Sequence, residues 1–146
     1  MFAARYADEV SGLALVDASP TTWPAALCSG PVDGTEAAAT VHGDCAGFLP
    51  TGNSERLDVV AAFAEVSTVV SLGSLPMAVI TAVGRELPSG LAVSEVARLT
   101  EAWNQGQQTW AALSTTSHVV RVDRTGHHIE IDQAAVVIDE ITRLLP

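Results

Sequence analysis

The sequence predicts an α/β protein with about three parallel strands, flanking helices and a lid-like insertion. Three short runs rich in aliphatic residues indicate the strands: Leu13–Asp17, Met77–Ala82 and His118–Asp123. The first run is continuously apolar, which is typical of a strand covered on both faces. Segments with helical spacing lie between and after these runs, and such alternation favours parallel strands joined by crossovers.

Size and composition are those of one ordinary domain, residues 1–146, with the insertion at about 20–72. Hydrophobic residues make up 48% of the chain and charged residues only 16%, so a buried core is expected. The insertion is rich in Pro, Gly, Ser and Thr. Long irregular insertions of this kind are often lids or binding loops.

The helical segments are predicted from apolar spacing and end signals. The first is the end of a helix without a start signal, the second is capped by Asn53 or Ser54, and the last is capped by Asp132. Inward faces are expected at Leu57, Val60, Ala61, Ala64 and Thr68, at Val96, Leu99, Trp103, Trp110 and Leu113, and at Val137, Ile138, Ile141 and Leu145. The segments are Phe2–Glu9, a short helix around Glu36–His42, Ser54–Val69, Val93–Leu113 and Gln133–Leu145.

The formal net charge is −10, and every basic residue is an arginine. Without a clustered basic face, neither nucleic-acid binding nor a polybasic membrane contact is expected. No apolar run is long enough to span a bilayer, and the N-terminus lacks the order of a signal peptide. A cytoplasmic location is therefore expected. There, Cys28 and Cys45 are predicted to be free thiols, with a disulfide as the alternative.

A histidine loop follows the third predicted strand, in the stretch Thr125–Gly126–His127–His128–Ile129. In open parallel sheets, ligands and chemistry lie at the carboxyl ends of the strands, where this loop is expected. A histidine base requires a nucleophile to activate. The chain contains no Gly-x-Ser-x-Gly motif, which is the usual setting of a nucleophilic serine on such a sheet.

Three segments together resemble the α/β-hydrolase superfamily. Phe2–Asp17 resembles the stretch just after the nucleophile elbow, although Ala7 stands where the family usually has proline. Leu75–Ala82 resembles the penultimate strand, and Thr125–Ile129 resembles the histidine loop. The resemblance covers nearly the whole chain except residues 21–72.

This resemblance implies a triad in the chain order Ser, Asp or Glu, His. His127 matches the general base, and His128 is the less favoured histidine. Asp17 matches the acid. It is favoured over Glu86, which stands where other members of the family have their acid, after the next strand. The acid would fix the tautomer of the histidine and stabilise the imidazolium. No cofactor and no metal are expected.

The same resemblance implies the C-terminal half of a serine-type hydrolase that acts on esters or related acyl compounds. The serine and the oxyanion hole would precede Met1, so the chain is expected to be inactive alone. It would act on a small-molecule substrate only when completed by the N-terminal half. The alternative is a non-catalytic binding or assembly module. In either case the strand at 13–17 would be exposed at the sheet edge, which favours a homo-oligomer.

Overall fold

A computed structural model describes residues 1–30, 35–84 and 87–145. It divides into two compact units. The sheet unit comprises Met1–Pro20, Val69–Glu86 and Gln107–Pro146, and the helical unit comprises Thr21–Thr68 and Leu87–Gly106. The predicted insertion at about 20–72 corresponds closely to the first segment of the helical unit. Its function as a lid stays a prediction.

The sheet unit contains three parallel strands in the order β1-β2-β3, which confirms the predicted α/β class and the parallel sheet. The strands are β1 (Leu13–Val16), β2 (Met77–Ala82) and β3 (Ser117–Val122). All six residues of the central strand β2 are buried, as expected of a continuously apolar strand between two neighbours. Each strand lies within one residue of its prediction.

Helices cover the sheet through a core formed by alternate residues of β2. Ala78, Ile80 and Ala82 share one face of that strand and pack with Val122, Ile129 and Val137. The unit also contains a 3-10 turn at Ala7–Glu9 where a continuous helix was predicted. Its helices are α1 (Phe2–Arg5), the end of α5 (Val93–Ala111), α6 (Ile129–Asp132) and α7 (Ala134–Leu144).

The last helix buries a different face from the predicted one. Val137 is buried, but Ile138, Ile141 and Leu145 are 45–60% exposed, so those three predictions were wrong. The face of α7 that packs inward carries Val137, Glu140 and Leu144, which follow the helical spacing i, i+3, i+7. The predicted and the observed inward faces differ by a rotation of about one residue around the helix axis, and apolar residues occur on both faces.

The helical unit contains α2 (Trp23–Cys28), α3 (Glu36–Ala46), α4 (Val59–Val66) and most of α5. Helix α2 was not predicted; Pro24 lies in its first turn, where a missing N–H costs nothing. Trp23 and Leu27 of α2 pack with Val41 of α3 and with Leu99 and Trp103 of α5. The edge of one indole meets the face of the other at a centroid distance of 5.0 Å.

Helix α4 begins later than predicted because Asp58 caps it. The Asp58 carboxylate accepts a hydrogen bond from the Ala61 amide at 2.8 Å, whereas the Asn53 side chain closes the preceding loop. The predicted inward face was wrong, because all five of its residues are exposed: Leu57, Val60, Ala61, Ala64 and Thr68. Val96 of α5 is exposed as well, while its neighbours Leu99 and Trp103 are buried as predicted.

Cys28 and Cys45 form a disulfide between α2 and α3, with their Cα atoms 5.8 Å apart. The prediction of two free thiols was therefore wrong. The cysteines are 17 residues apart in sequence, and their spacing could not show that α2 and α3 pack side by side. No helix in the described ranges has both the length and the apolar character needed to cross a membrane.

Candidate functional site

The carboxyl ends of the strands bring together the two residues that the sequence singled out. Asp17 directly follows β1, and His127 lies five residues after β3. Because all three strands are parallel, these loops emerge at the same edge of the sheet. The Asp17 Oδ2 atom lies 2.9 Å from the His127 Nδ1 atom, although the residues are 110 positions apart in sequence.

Asp17 is completely buried, and its carboxylate is held by the neighbouring strand. Its Oδ1 atom accepts hydrogen bonds from the Ala82 amide at 3.0 Å and the Thr81 hydroxyl at 3.2 Å. Its own amide donates to the Ile80 carbonyl at 2.7 Å, which extends the β1–β2 ladder by one residue. The Asp17 backbone has φ = +42°, a left-handed conformation in which Asp is among the better tolerated residues.

His127 is oriented by this carboxylate and remains accessible. Nδ1 donates to this carboxylate in the tautomer that carries its proton on Nδ1, because a carboxylate oxygen is an acceptor. Nε2 then carries the lone pair in the neutral ring. The His127 side chain is 54% exposed, which leaves it open to a reacting group. This arrangement suits a general base whose tautomer is fixed by a buried acid.

The loop that carries His127 is closed by Asp132. Its Oδ2 atom accepts a hydrogen bond from the Thr125 hydroxyl at 3.0 Å and another from the Gly126 amide at 3.3 Å. The prediction that Asp132 caps the last helix was wrong: it is the final residue of α6, and Gln133 occupies the N-cap position of α7. Asp132 therefore fixes the two residues that precede His127.

His128 takes no part in the contact with Asp17. Its Nδ1 atom lies 3.2 Å from Glu130 Oε1, and its ring centroid lies 5.3 Å from that of His127. A hydrogen bond from the backbone of Glu130 lowers the pKa of its carboxyl group, and His128 lowers it further. Both side chains are largely exposed, so they lie on the surface of the loop and outside the candidate site.

Gln107 holds the residue that follows Asp17, and the sequence provided no indication of this contact. Its Nε2 atom donates to the Ala18 carbonyl at 2.9 Å, directly after Asp17. Gln107 is 1% exposed, and its Oε1 atom has no hydrogen-bond partner among the residues that the structure describes. A glutamine in the middle of a predicted helix gives no signal that it holds a strand end 89 residues away.

His118 lies in the amino-terminal half of β3, away from the carboxyl ends of the strands, and its side chain also pairs with a carboxylate. Its Nε2 atom lies 2.7 Å from Oε2 of Glu140, which is buried and also pairs with Arg143. The sequence showed only a lone histidine. This pair belongs to the packing of α7 on the sheet.

Glu86, the alternative acid, lies outside the described residues. Within the described ranges, no serine hydroxyl is hydrogen-bonded to His127, and no cluster of three or more His, Cys, Asp or Glu side chains could hold a metal ion.

Fold and site together define an α/β protein that carries a buried aspartate hydrogen-bonded to an exposed histidine. The chain has no match among protein-family models, curated proteins or solved structures. Its relationship to the α/β-hydrolases stays a prediction from the sequence motifs.

Proposed function

We propose that this chain provides the acid and the base, but not the nucleophile, of a serine-type α/β-hydrolase. The Asp17–His127 hydrogen bond is the observation that supports it. A fully buried carboxylate bound to a half-exposed imidazole is the pairing that general-base catalysis on a hydroxyl needs.

Each residue has a defined task in the completed site. Nε2 of His127 would accept the proton of the serine hydroxyl as that oxygen attacks an acyl carbon. The proton would then pass to the leaving group. Asp17 would hold Nδ1 as the donor and stabilise the imidazolium. The oxyanion-hole amides would belong to the other half, so a small acyl substrate is expected only for the completed protein.

The coding DNA upstream of Met1 provides the first test. A Gly-x-Ser-x-Gly motif is expected in the same frame, within the preceding couple of hundred codons. The upstream segment, co-expressed with this chain, should then hydrolyse p-nitrophenyl butyrate. His127→Ala should abolish turnover, and His128→Ala is the matched control that should retain it. The proposal fails if no such motif is encoded, or if His127→Ala is as active as the unmodified pair.

A second candidate is a non-catalytic assembly module, and the position of β1 favours it. Within the described residues β1 is an edge strand whose four side chains are only half-buried. The amides of Leu13 and Asp17 donate to the β2 side, so the alternation of a strand turns the Ala14 amide outward. Such an edge can pair with the same edge of a second copy.

Light scattering on the purified chain tests this candidate. A homodimer through 13–17 should become monomeric in Ala14→Pro, which removes an outward donor and leaves the β1–β2 hydrogen bonds in place. The matched control is Ala39→Pro in the helical unit, which should lower stability without dissociating the dimer. A monomer at all concentrations would contradict pairing at this edge.

A cytoplasmic location stays a prediction, and the Cys28–Cys45 disulfide weighs against it, because disulfides persist mainly in oxidising compartments. Fractionation of cells that express the tagged chain, with free thiols blocked at lysis, would decide between a cytoplasmic location and an oxidising compartment. Fully blocked cysteines in the cytoplasmic fraction would support the original prediction.

A further inference from the structure

A pocket opens beside the candidate site, at the carboxyl ends of β2 and β3. Its volume is about 550 Å³, and it is lined by Val83, Gly84, Arg124, Thr125, Gly126 and Asp132. Val83 and Gly84 follow β2, and the loop residues follow β3 and lead directly into His127. Ligands of open parallel α/β sheets occupy this position.

The wall formed by the β3 loop is built before any ligand arrives. The Asp132 carboxylate holds Thr125 and Gly126, as described above. Arg124 has φ = +57°, an uncommon conformation for a residue with a β-carbon. Strained backbone of this kind persists where the surrounding contacts enforce it, often beside a functional site.

The charged side chains that line the pocket indicate which class of ligand it can bind. Among the described residues that line it, Arg124 is the one basic residue. Within the described part of the chain, no ion pair or hydrogen bond engages its guanidinium. Asp132 brings a negative charge to the same wall, but its Oδ2 atom is already taken by the loop. Among the described lining residues, the guanidinium of Arg124 is the positively charged group that can attract a ligand.

We propose that this pocket binds the oxyanion of a small molecule, a carboxylate or a phosphate, through Arg124. A guanidinium can donate two parallel hydrogen bonds to either group. Val83 is the one large apolar residue among the described lining residues, so the pocket suits a polar ligand better than an apolar one. Binding here does not require the proposed hydrolase function; only the idea that the oxyanion belongs to its substrate rests on that function.

Titration of the ¹⁵N-labelled chain with sodium succinate and, separately, with sodium phosphate tests the proposal at constant ionic strength. Saturable shifts are expected for the amides of Gly84, Thr125 and Gly126. The anion that binds more tightly identifies carboxylate or phosphate as the preferred group. Arg124→Gln should weaken binding at least about tenfold, and Arg124→Lys should give an intermediate loss.

Arg56→Gln is the matched control, because Arg56 is exposed, has φ = +56° and lies outside the pocket. It removes the same charge from the same backbone conformation and should leave the affinity unchanged. The proposal is overturned if neither anion gives saturable shifts. It is also overturned if Arg124→Gln binds as tightly as the unmodified chain, or if Arg56→Gln weakens binding equally. Esterase activity enters none of these results, so failure of the proposed function would be seen separately.

Discussion

Replacing Asp17 separates its structural task from its effect on His127. In Asp17→Ala, the buried Ala82 amide loses its acceptor. In addition, alanine must adopt φ = +42° without a polar side chain that would favour this conformation. The first change costs about 1–3 kcal/mol and the second about 1–2 kcal/mol. A loss of about 2–5 kcal/mol is a large part of the 5–15 kcal/mol that typically stabilises a domain.

Asp17→Asn should behave differently. The amide oxygen can still accept from Ala82 and Thr81, and Asn tolerates the left-handed backbone. The contact with His127 is half-exposed and therefore adds little stability. We expect a loss of about 1 kcal/mol or less. The Asn NH₂ group would face His127 and force Nδ1 to become an acceptor, so the ring proton moves to Nε2.

Two measurements check this reasoning. Urea denaturation gives the free energies of unfolding, and ¹⁵N chemical shifts of the imidazole give the tautomer of His127. We expect Nδ1–H in the unmodified chain and Nε2–H in Asp17→Asn. Asp17→Gly is the control for backbone strain, since glycine adopts this φ freely. Equal losses in Asp17→Asn and Asp17→Ala, with no change of tautomer, would refute the account of the buried carboxylate.

Three further predictions follow from single contacts. Serine at both Cys28 and Cys45 should lower the free energy of unfolding by about 3 kcal/mol, the typical value for a loop near their 17-residue separation, as measured by urea denaturation. Asp132→Ala should release the histidine loop, seen as faster amide hydrogen exchange around His127, because Thr125 and Gly126 lose their shared acceptor. Gln107→Leu should destabilise by about 1–3 kcal/mol through the orphaned Ala18 carbonyl.

Each of these predictions has a control. Dithiothreitol should lower the free energy of unfolding of the unmodified chain but not that of the double serine variant. An equal response of the two proteins would mean that the disulfide does not form. Asp123→Ala, on an exposed residue beside the loop, should leave exchange unchanged. Gln108→Leu, exposed on the same helix, should cost little, and a cost equal to that of Gln107→Leu would contradict the role of the Ala18 hydrogen bond.

The sequence predicted the strands well because short aliphatic runs bounded by turn residues contain their own signal. It predicted helix faces poorly in α4 and α7, where apolar residues occur on more than one side. In α7 the sequence does not distinguish the face with Ile138 and Ile141 from the one with Val137 and Leu144. The choice depends on what the helix packs against, and Glu140 is buried because His118 and Arg143 are there to pair with it.

The sequence by itself determined the parallel α/β sheet and placed Asp17 and His127 after strands that end at the same edge. Hydrophobic periodicity and chain order are local properties, and they suffice for that much. Only the tertiary structure decided that the two side chains are hydrogen-bonded, that Gln107 holds Ala18, that Asp132 closes the loop, and that Cys28 is bonded to Cys45. These contacts join residues 7 to 110 positions apart, and their geometry exists only once the strands and helices have packed.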